Sequence, residues 1–311
     1  MLCFDKLKIV TSTKHIKRFD KSKFQENLLD GKIQSYKYKQ TMPHVLIMIN
    51  YDKDELVIEF TSKILKFDFI KLINKDTIYE SLCGIPYIEF DDDVEFLLDD
   101  FEVLKCDVSQ DVSYGYDVKR LEQYVKSNLI NYDKWKCENY RNGFVLKNVV
   151  ATPRYKKRIV IYDKGKELKL KQNKAFVDEV DRNYFLEDYF RDKVRFEMNI
   201  NSKFQIRQFL NIQDNKLMSV LNSDANPILA ILNEAIREPD ENTYHISSIK
   251  DYHYELTLKD CNYNLGEVEA KIRSLVSKNT SIKRMMEPYR ELYQRIQNNK
   301  GPAFDLRKLV G

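Results

Sequence analysis

Three short stretches of the sequence combine strand-like alternation with residue types that can act on a phosphate. They are LKCDVSQD, RIVIYDK and VRFEMNI. Successive side chains of an extended strand point to opposite faces, so each stretch has one apolar and one polar face. If the three strands are neighbours in one sheet with a common buried side, the open face displays Asp107, Glu197, Tyr162 and Lys164 together.

This set of side chains predicts a divalent metal site beside a nucleophile. Carboxylates gathered on one face repel one another, and Mg²⁺ or Mn²⁺ prefers such oxygen ligands. A tyrosine beside the metal can attack a phosphodiester, while Lys164 and Arg158 add positive charge where the transition state becomes more negative. Residue type alone leaves other interpretations open, because Tyr162 could be a packing residue and the two acids could form salt bridges with neighbouring bases.

The composition is typical of a soluble, globular, cytoplasmic protein. Hydrophobic residues make up 43% of the 311 residues and charged residues 32%, and no apolar run is long enough to span a membrane. The N-terminal MLCFDKLKIV lacks the features of a secretory signal. The five cysteines are scattered without a C-x-x-C pair, and the four histidines form no metal-binding pattern. A disulfide framework, a zinc ribbon and a histidine-built metal site are therefore not expected.

The charges are separated along the chain although the net charge is only +4. Ten acidic residues and one base lie between Glu89 and Asp111, whereas ten basic and two acidic residues lie between Lys147 and Lys174. Such a chain could bind a polyanion with one part and a cation with another. Two solvated faces that attract each other are an equally good interpretation.

Periodicity predicts an α+β architecture with an antiparallel or mixed sheet and flanking helices. The predicted strands include His44–Tyr51, Glu55–Leu65, a strand entered before Val112, Arg158–Asp163 and Val194–Ile200. A helix follows Asp117, which is a suitable N-cap. We expect a first domain over residues 1–201 and an all-helical region over residues 202–311.

The helical region contains two segments that could recognise DNA. Glu255–Val276 has a polar turn between two amphipathic segments, the outline of a helix-turn-helix. Ser281–Ile296 is a basic amphipathic helix that Pro288 should kink or divide. Ordinary core packing and dimer contacts account for these helices equally well.

Motifs in the first domain resemble those of plasmid and phage rolling-circle replication initiators. LKCDVSQD resembles their R-I-D-hydrophobic-x-x-D strand, RIVIYDKGKEL resembles the hydrophobic-Y-x-K-x-x-E strand that carries the nicking tyrosine, and KVRFEMNI resembles the following L-R-F/V-E strand. ELVIEFTSKIL is similar to an early strand of the phage proteins. The resemblance covers Met1 to Asn201; it is to filamentous-phage-type replication proteins and, more loosely, to Gram-positive plasmid initiators.

The resemblance implies a nickase-type sheet and a role for each matching residue. Tyr162 matches the nucleophile, which would attack a phosphate at the origin, become linked to the 5′ end and release a 3′-OH for a polymerase. Asp107 and Glu197 match the acids that hold Mg²⁺ or Mn²⁺, with Asp111 as a third ligand. Lys164 would contact the phosphate or protonate the leaving group.

The sequence departs from the family pattern at several points. Lys105 stands where Arg usually precedes the Asp, which keeps the charge but loses bidentate geometry. The His-hydrophobic-His motif of the wider nickase superfamily is absent, so no histidine metal site is carried over. Tyr155 is the nearest alternative for a second nucleophile, and the role of Glu167 stays open between metal support and helix capping.

Partners follow from the charges and from the resemblance. Basic residues near the tyrosine would hold the DNA backbone without sequence preference: Arg154, Lys156, Lys157, Arg158, Lys166 and Lys169. The expected DNA is single-stranded or an extruded origin hairpin. The resemblance implies a host helicase and polymerase in a bacterial cytoplasm, no membrane partner is expected, and a homodimer is left open.

The leading functional hypothesis is a metal-dependent tyrosine endonuclease and strand transferase that starts rolling-circle replication of a plasmid or phage. One alternative is a non-catalytic DNA-binding initiator or repressor in which the acidic cluster is structural. A conjugative relaxase ranks lowest, since relaxases usually carry a His-rich motif that this chain lacks.

Overall fold

The computed structural model describes residues 1–39, 44–115, 117–130, 134–149, 156–180, 184–237, 248–276, 281–298 and 306–311. The chain divides into two compact units, one formed by Met1–Arg237 with Arg307–Gly311 and the other by Glu238–Leu306. In these ranges no helix combines the length and the apolar character needed to cross a membrane.

Antiparallel strands form the framework of the first unit. They are β1 (Phe4–Thr11), β2 (Ile16–Phe19), β3 (Phe24–Leu29), β4 (Lys32–Tyr38), β5 (Val45–Asn50), β6 (Glu55–Thr61), β7 (Ile88–Phe90), β8 (Glu102–Ser113), β9 (Trp135–Tyr140), β10 (Gly143–Asn148), β11 (Arg158–Asp163) and β12 (Lys193–Ile200). Ten of these strands build one sheet in the order β3-β4-β5-β6-β1-β8-β12-β11-β10-β9, and β2 pairs with β7. The three motif strands β8, β12 and β11 are therefore adjacent, as the common-face hypothesis requires.

Helices flank this sheet and confirm the predicted α+β class. They are α1 (Ile78–Cys83), α2 (Val94–Leu97), α3 (Val118–Asn128), α4 (Lys164–Leu168), α5 (Lys174–Val180), α6 (Phe185–Phe190), α7 (Lys203–Leu210), α8 (Leu217–Leu221) and α9 (Pro227–Ala235), with a 3-10 helix at Ser62–Lys71. The predicted cap of α3 is confirmed, because the Asp117 carboxylate accepts a hydrogen bond from the Lys119 amide at 2.9 Å.

The sheet has one apolar and one polar face in its centre. Leu7, Cys106, Phe196 and Ile161 are almost completely buried on the apolar side. On β1 the register against β8 shifts between Phe4 and Lys6. Such a β-bulge lets two successive side chains point to the same side, so both Asp5 and Lys6 reach the polar face.

The boundary between the two units differs from the expected one after Asn201. Helices α7, α8 and α9 pack on β8 and β12, and the backbone also links them to the sheet. The Val103 amide donates to the Asn215 carbonyl at 2.8 Å, and the Leu217 amide donates to the Phe101 carbonyl at 2.9 Å. These helices bury their apolar residues against the first unit, which therefore continues to Arg237.

The second unit consists of α10 (Ile249–Asp260), α11 (Leu265–Leu275) and α12 (Ile282–Asn298) in the described part of the chain. Their apolar sides form one core of six buried residues: Leu258, Cys261, Val268, Ile272, Met286 and Leu292. The polar turn between α10 and α11 lies where the sequence places it, and Asn264 caps α11. Helix α12 is neither ended nor divided at Pro288. A last helix, α13 (Leu306–Val310), belongs to the first unit from Arg307 onward.

Candidate active site

Strand pairing brings the predicted residues onto the polar face of the sheet. Asp107 on β8 lies opposite Asn199 on β12, and Tyr162 on β11 lies opposite Arg195 on β12. Side chains of directly opposed residues share a face and are about 5 Å apart at Cβ. Asp107, Glu197 and Tyr162, which are far apart in sequence, therefore lie on the same side of three adjacent strands.

The central contact of the site joins the tyrosine to a carboxylate. The Tyr162 hydroxyl donates a hydrogen bond to Glu197 Oε2 at 2.9 Å. Burial and the adjacent charge of Glu197 raise the pKa of the Tyr162 phenol well above its ordinary value. The raised pKa keeps the phenol protonated in the free protein, and Glu197 Oε2 accepts its hydrogen bond.

A single amide connects the two candidate metal-binding acids. The Asn199 side-chain amide donates to Glu197 Oε1 at 3.2 Å and also hydrogen-bonds to the Asp107 carboxylate. Because Asn199 is directly opposite Asp107 and two residues beyond Glu197, the two acids are diagonal neighbours across β8 and β12.

Both acids lie in an environment that disfavours their negative charge. Burial raises the pKa of Asp107. Burial, followed by the charges of Asp5 and Asp107, raises the pKa of Glu197. A cation bound between the two carboxylates would offset this repulsion and the loss of solvation.

The donor groups at this position fit a small, partly hydrated divalent cation. The Ser109 hydroxyl, which shares the polar face and lies opposite Glu197, is buried and has no hydrogen-bond partner. Asp107, Glu197 and the side-chain carbonyl of Asn199 offer only oxygen donors, and Mg²⁺ commonly binds through one or two carboxylates with water and substrate phosphate completing its shell. In the described ranges no group of three or more His, Cys, Asp or Glu side chains is arranged as a metal cage.

Asp111, predicted as a third ligand, is held by an arginine instead. Arg195 Nε and Nη2 each donate to an Asp111 oxygen at 2.7 Å, and Arg195 Nη1 donates to Asp5 at 2.7 Å. The guanidinium is fully buried and lies 5.7 Å from the ring centres of Phe69 and Phe190. Because a fully buried guanidinium takes up both oxygens of Asp111 and neutralises its charge, this residue is a structural partner of Arg195 and not a metal ligand.

Lys164 lies beside the tyrosine, as the sequence predicts. Its ammonium is 5.7 Å from the centre of the Tyr162 ring and 2.9 Å from Glu167 Oε2, and the side chain is almost fully buried. Asn173 donates to Glu167 Oε1 at 2.8 Å. Glu167, whose role the sequence left open, therefore neutralises and positions Lys164.

Two cavities open on the polar face and meet at Arg158 and Asn199, which line both. The larger has a volume of about 670 Å³, and we call it the lysine groove because its bases are Lys6, Lys8, Lys105, Lys156 and Arg158. The smaller has a volume of about 350 Å³, and we call it the tyrosine groove; its lining includes Asp5, Lys63, Tyr140, Arg141, Asn142, Tyr162, Lys164, Glu167 and Glu197.

Only some of the predicted DNA-contacting bases lie at these grooves. Lys156 and Arg158 line the lysine groove. Lys157 forms an ion pair with Glu234, Lys166 with Asp163 at 3.2 Å, and Lys169 with Glu187 at 2.7 Å. These three pairs reduce the positive charge available to a phosphate. Arg154, and also the alternative nucleophile Tyr155, lie outside the described residues.

The sequence interpretation missed the contribution of β1 and β6. Lys6 lies opposite Asp107, and Glu59 on β6 contacts the Lys6 ammonium at 2.5 Å and the Lys8 ammonium at 3.5 Å. The alternation of lysines with apolar residues in DKLKIV carries the same period-two signal as the other strands. Asp5 has no such signal, because only the bulge turns it to the polar face.

The chain matches no protein-family model and no curated protein.

Proposed function

We propose that the chain is a rolling-circle replication initiator that nicks and rejoins single-stranded DNA at a plasmid or phage origin through a 5′-phosphotyrosyl intermediate. The observation that carries the proposal is the hydrogen bond from the Tyr162 hydroxyl to Glu197, on the face that Asp107 shares. The resemblance of these same strands to the initiator motifs supports the same reaction.

In the nicking step, Tyr162 Oη attacks the phosphorus of the scissile phosphodiester. Its O–H bond breaks and the proton passes to Glu197, while the new O–P bond forms and the bond from phosphorus to the 3′ oxygen breaks. The 3′ oxygen leaves as a hydroxyl with a proton from Lys164, and exchange with water restores both side chains. The phosphate ester of tyrosine retains the energy of the broken bond, so the reverse reaction rejoins the strand without ATP.

Asp107 and Glu197, with Ser109 and Asn199 beside them, are the residues that would hold Mg²⁺ or Mn²⁺. When bound, the ion withdraws charge from the non-bridging phosphate oxygens and orients the phosphate. Arg158 contributes fixed positive charge on the tyrosine side, and Lys164 supplies the proton for the leaving oxygen. Glu167 keeps Lys164 in place, and Arg195 holds β12 against β8 through Asp111.

The lysine groove supports DNA binding next to this site. Its five bases, against only Glu59 and Asp107, face a cavity that reaches Arg158 at the edge of the tyrosine groove. The phosphates of a DNA strand could follow these bases toward Tyr162. The affinity should then fall as the salt concentration rises, because binding releases counterions from the DNA.

A selection experiment tests the proposal whatever the origin sequence is. The protein is incubated with Mn²⁺ and a pool of single-stranded oligonucleotides with a random central segment, and DNA that remains attached after denaturation is sequenced. We expect a covalent adduct that converges on one cleavage sequence with the 5′ phosphate on the protein. Peptide mapping should place the DNA on Tyr162.

Matched variants separate this function from the non-catalytic alternative. Tyr162→Phe should give no adduct. Asp107→Asn or Glu197→Gln should lose cleavage yet still bind the selected oligonucleotide, because these two acids take part in the reaction and do not contact the DNA backbone. Tyr79→Phe, on an exposed part of α1, is the control. DNA binding without any adduct would instead favour a non-catalytic initiator or repressor, and an adduct that survives in Tyr162→Phe would move the nucleophile elsewhere.

A further inference from the structure

We infer that the β9–β10 turn positions the DNA for cleavage, with Tyr140 as a stacking platform for a base and Arg141 as a contact to a phosphate. This inference rests on the proposed function for its substrate, single-stranded DNA. It concerns residues outside the motifs and outside the predicted set of DNA contacts.

Tyr140 and Tyr162 lie in one row across three strands. Tyr140 on β9 is opposite Gly143 on β10, and Gly143 is opposite Tyr162 on β11. Neighbouring strands are about 4.8 Å apart, so the two tyrosine backbones are separated by about 10 Å with no side chain between them. Both tyrosines line the tyrosine groove.

The turn is held in a close and defined position beside the nucleophile. A Cβ atom at Gly143 would lie 2.0 Å from the Ile161 carbonyl oxygen and 2.8 Å from the Tyr162 Cβ, so only glycine permits this approach. The Asp163 amide also donates to the Asn142 carbonyl at 3.0 Å. These contacts on either side of Tyr162 fix where Tyr140 and Arg141 stand relative to it.

The two side chains of the turn are available to a ligand. Tyr140 is 43% exposed, and Arg141 is exposed as well. Within the described chain neither side chain has a hydrogen-bond, ion-pair or ring partner, whereas Lys164 and Lys63 in the same groove are held by Glu167 and Asn173. A free aromatic ring next to a free guanidinium provides what a single-stranded nucleic acid requires, a surface for a base and a charge for a phosphate.

The test uses two fluorescein-labelled probes that differ only in their bases: an oligo(dT) 16-mer and a 16-mer of abasic residues. Dissociation constants are measured by anisotropy for the wild-type protein and for Tyr140→Ala, Tyr140→Phe and Arg141→Ala. The control is Tyr79→Ala, because Tyr79 has nearly the same exposure, 44%, and lies outside both grooves.

We expect Tyr140→Ala to weaken oligo(dT) binding by about 5- to 150-fold, as the loss of one base–aromatic stack does, and to leave binding of the abasic probe unchanged. Tyr140→Phe keeps the ring and should bind like wild type. Arg141→Ala should weaken both probes by the same factor.

Any of three results would overturn the inference. Tyr140→Ala loses the same factor of affinity for both probes, Tyr140→Phe loses as much affinity for oligo(dT) as Tyr140→Ala, or the wild-type protein does not bind oligo(dT). The adduct assay is read separately. A wild-type adduct with unaltered DNA binding in Tyr140→Ala would refute this inference alone, while the expected binding pattern without any adduct would refute only the nicking reaction.

Discussion

The polar face of the sheet has two ends with opposite electrostatic character. At one end Arg195 is fully buried and held by Asp111 and Asp5, and despite the cost of burial the charges of Lys164 and Arg195 lower the pKa of Asp5. At the other end, on the same strands, burial raises the pKa values of Asp107 and Glu197. The carboxylates at the first end are paired with an arginine. Asp107 and Glu197, within the described residues, accept hydrogen bonds but form no ion pair, and we call their end uncompensated.

This difference separates residues that maintain the fold from residues that could do chemistry. In a buried ion pair with complete hydrogen bonding, no charge and no polar atom is left to bind a ligand. Uncompensated carboxylates beside an orphaned hydroxyl cost stability, and proteins retain such arrangements mainly where a ligand or reaction uses them. The motif strands thus contribute Asp111 to the scaffold and Asp107 to the candidate site, although the two acids are only four residues apart.

The largest effect is expected at the compensated end. Asp111→Ala leaves the buried Arg195 guanidinium without its bidentate partner, which should lower the free energy of unfolding by about 3–5 kcal/mol. Urea denaturation followed by circular dichroism measures the change. A loss below about 1 kcal/mol would show that the pair is not structural and would remove the contrast between the two ends.

Mn²⁺ should stabilise the protein through the uncompensated end. At a free concentration 100 times its dissociation constant the ion should add about 2.7 kcal/mol to the free energy of unfolding, because it binds only the folded state. Thermal denaturation with and without Mn²⁺ measures the effect, which should disappear in the double variant Asp107→Asn/Glu197→Gln. Retention of the full effect in that variant would place the ion elsewhere.

Neutral substitutions at the uncompensated end should stabilise the metal-free protein. Asp107→Asn and Glu197→Gln remove a buried charge but keep the size of the side chain and one oxygen that can accept a hydrogen bond, so we expect each to gain about 0.5–2 kcal/mol at neutral pH. The same variants should lose cleavage. Urea denaturation in the presence of a chelator measures the change in the free energy of unfolding. A large loss of stability would instead show that the two acids maintain the fold.

The smallest effect is the pH dependence of the stability that Glu197→Gln gains over the wild-type protein. Because the folded-state pKa of Glu197 is raised, its protonated form favours folding; this contribution is fully present below the unfolded-state value near 4 and is lost as the pH rises through the folded-state pKa. The stability difference between Glu197→Gln and wild type should therefore shrink toward zero as the pH is lowered from 8 to 4. A difference that is constant over this range would exclude the titration of Glu197 as its cause.

Local signals account for the parts of the fold that the sequence predicts well. The bounds predicted for β11 are those of the structure, and alternation assigns Tyr162, Glu197 and Asp107 to polar faces. The cap at Asp117 and the turn before Asn264 also follow from residue type. Alternation and capping depend on neighbours in sequence, which is why they can be read from the chain.

Partner choice is not predictable in the same way. Asp111 and Asp107 have the same alternation signal, and only the position of Arg195 across the strand pair separates their roles. The allocation of α7, α8 and α9 to the first unit depends on which apolar surface covers the sheet, which composition does not reveal. The bulge that presents Asp5 and the close approach at Gly143 arise from strand pairing and leave no periodic pattern.

The order of residues is enough to assign side chains to the faces of a strand, because the two-residue repeat of an extended backbone is a local property. Three outcomes depend on the folded chain: which acid pairs with the buried arginine, which acids lie without an ion pair near Tyr162, and which turn reaches the tyrosine groove. Those outcomes depend on contacts between strands distant in the chain, where distance and burial set the strength of each charge.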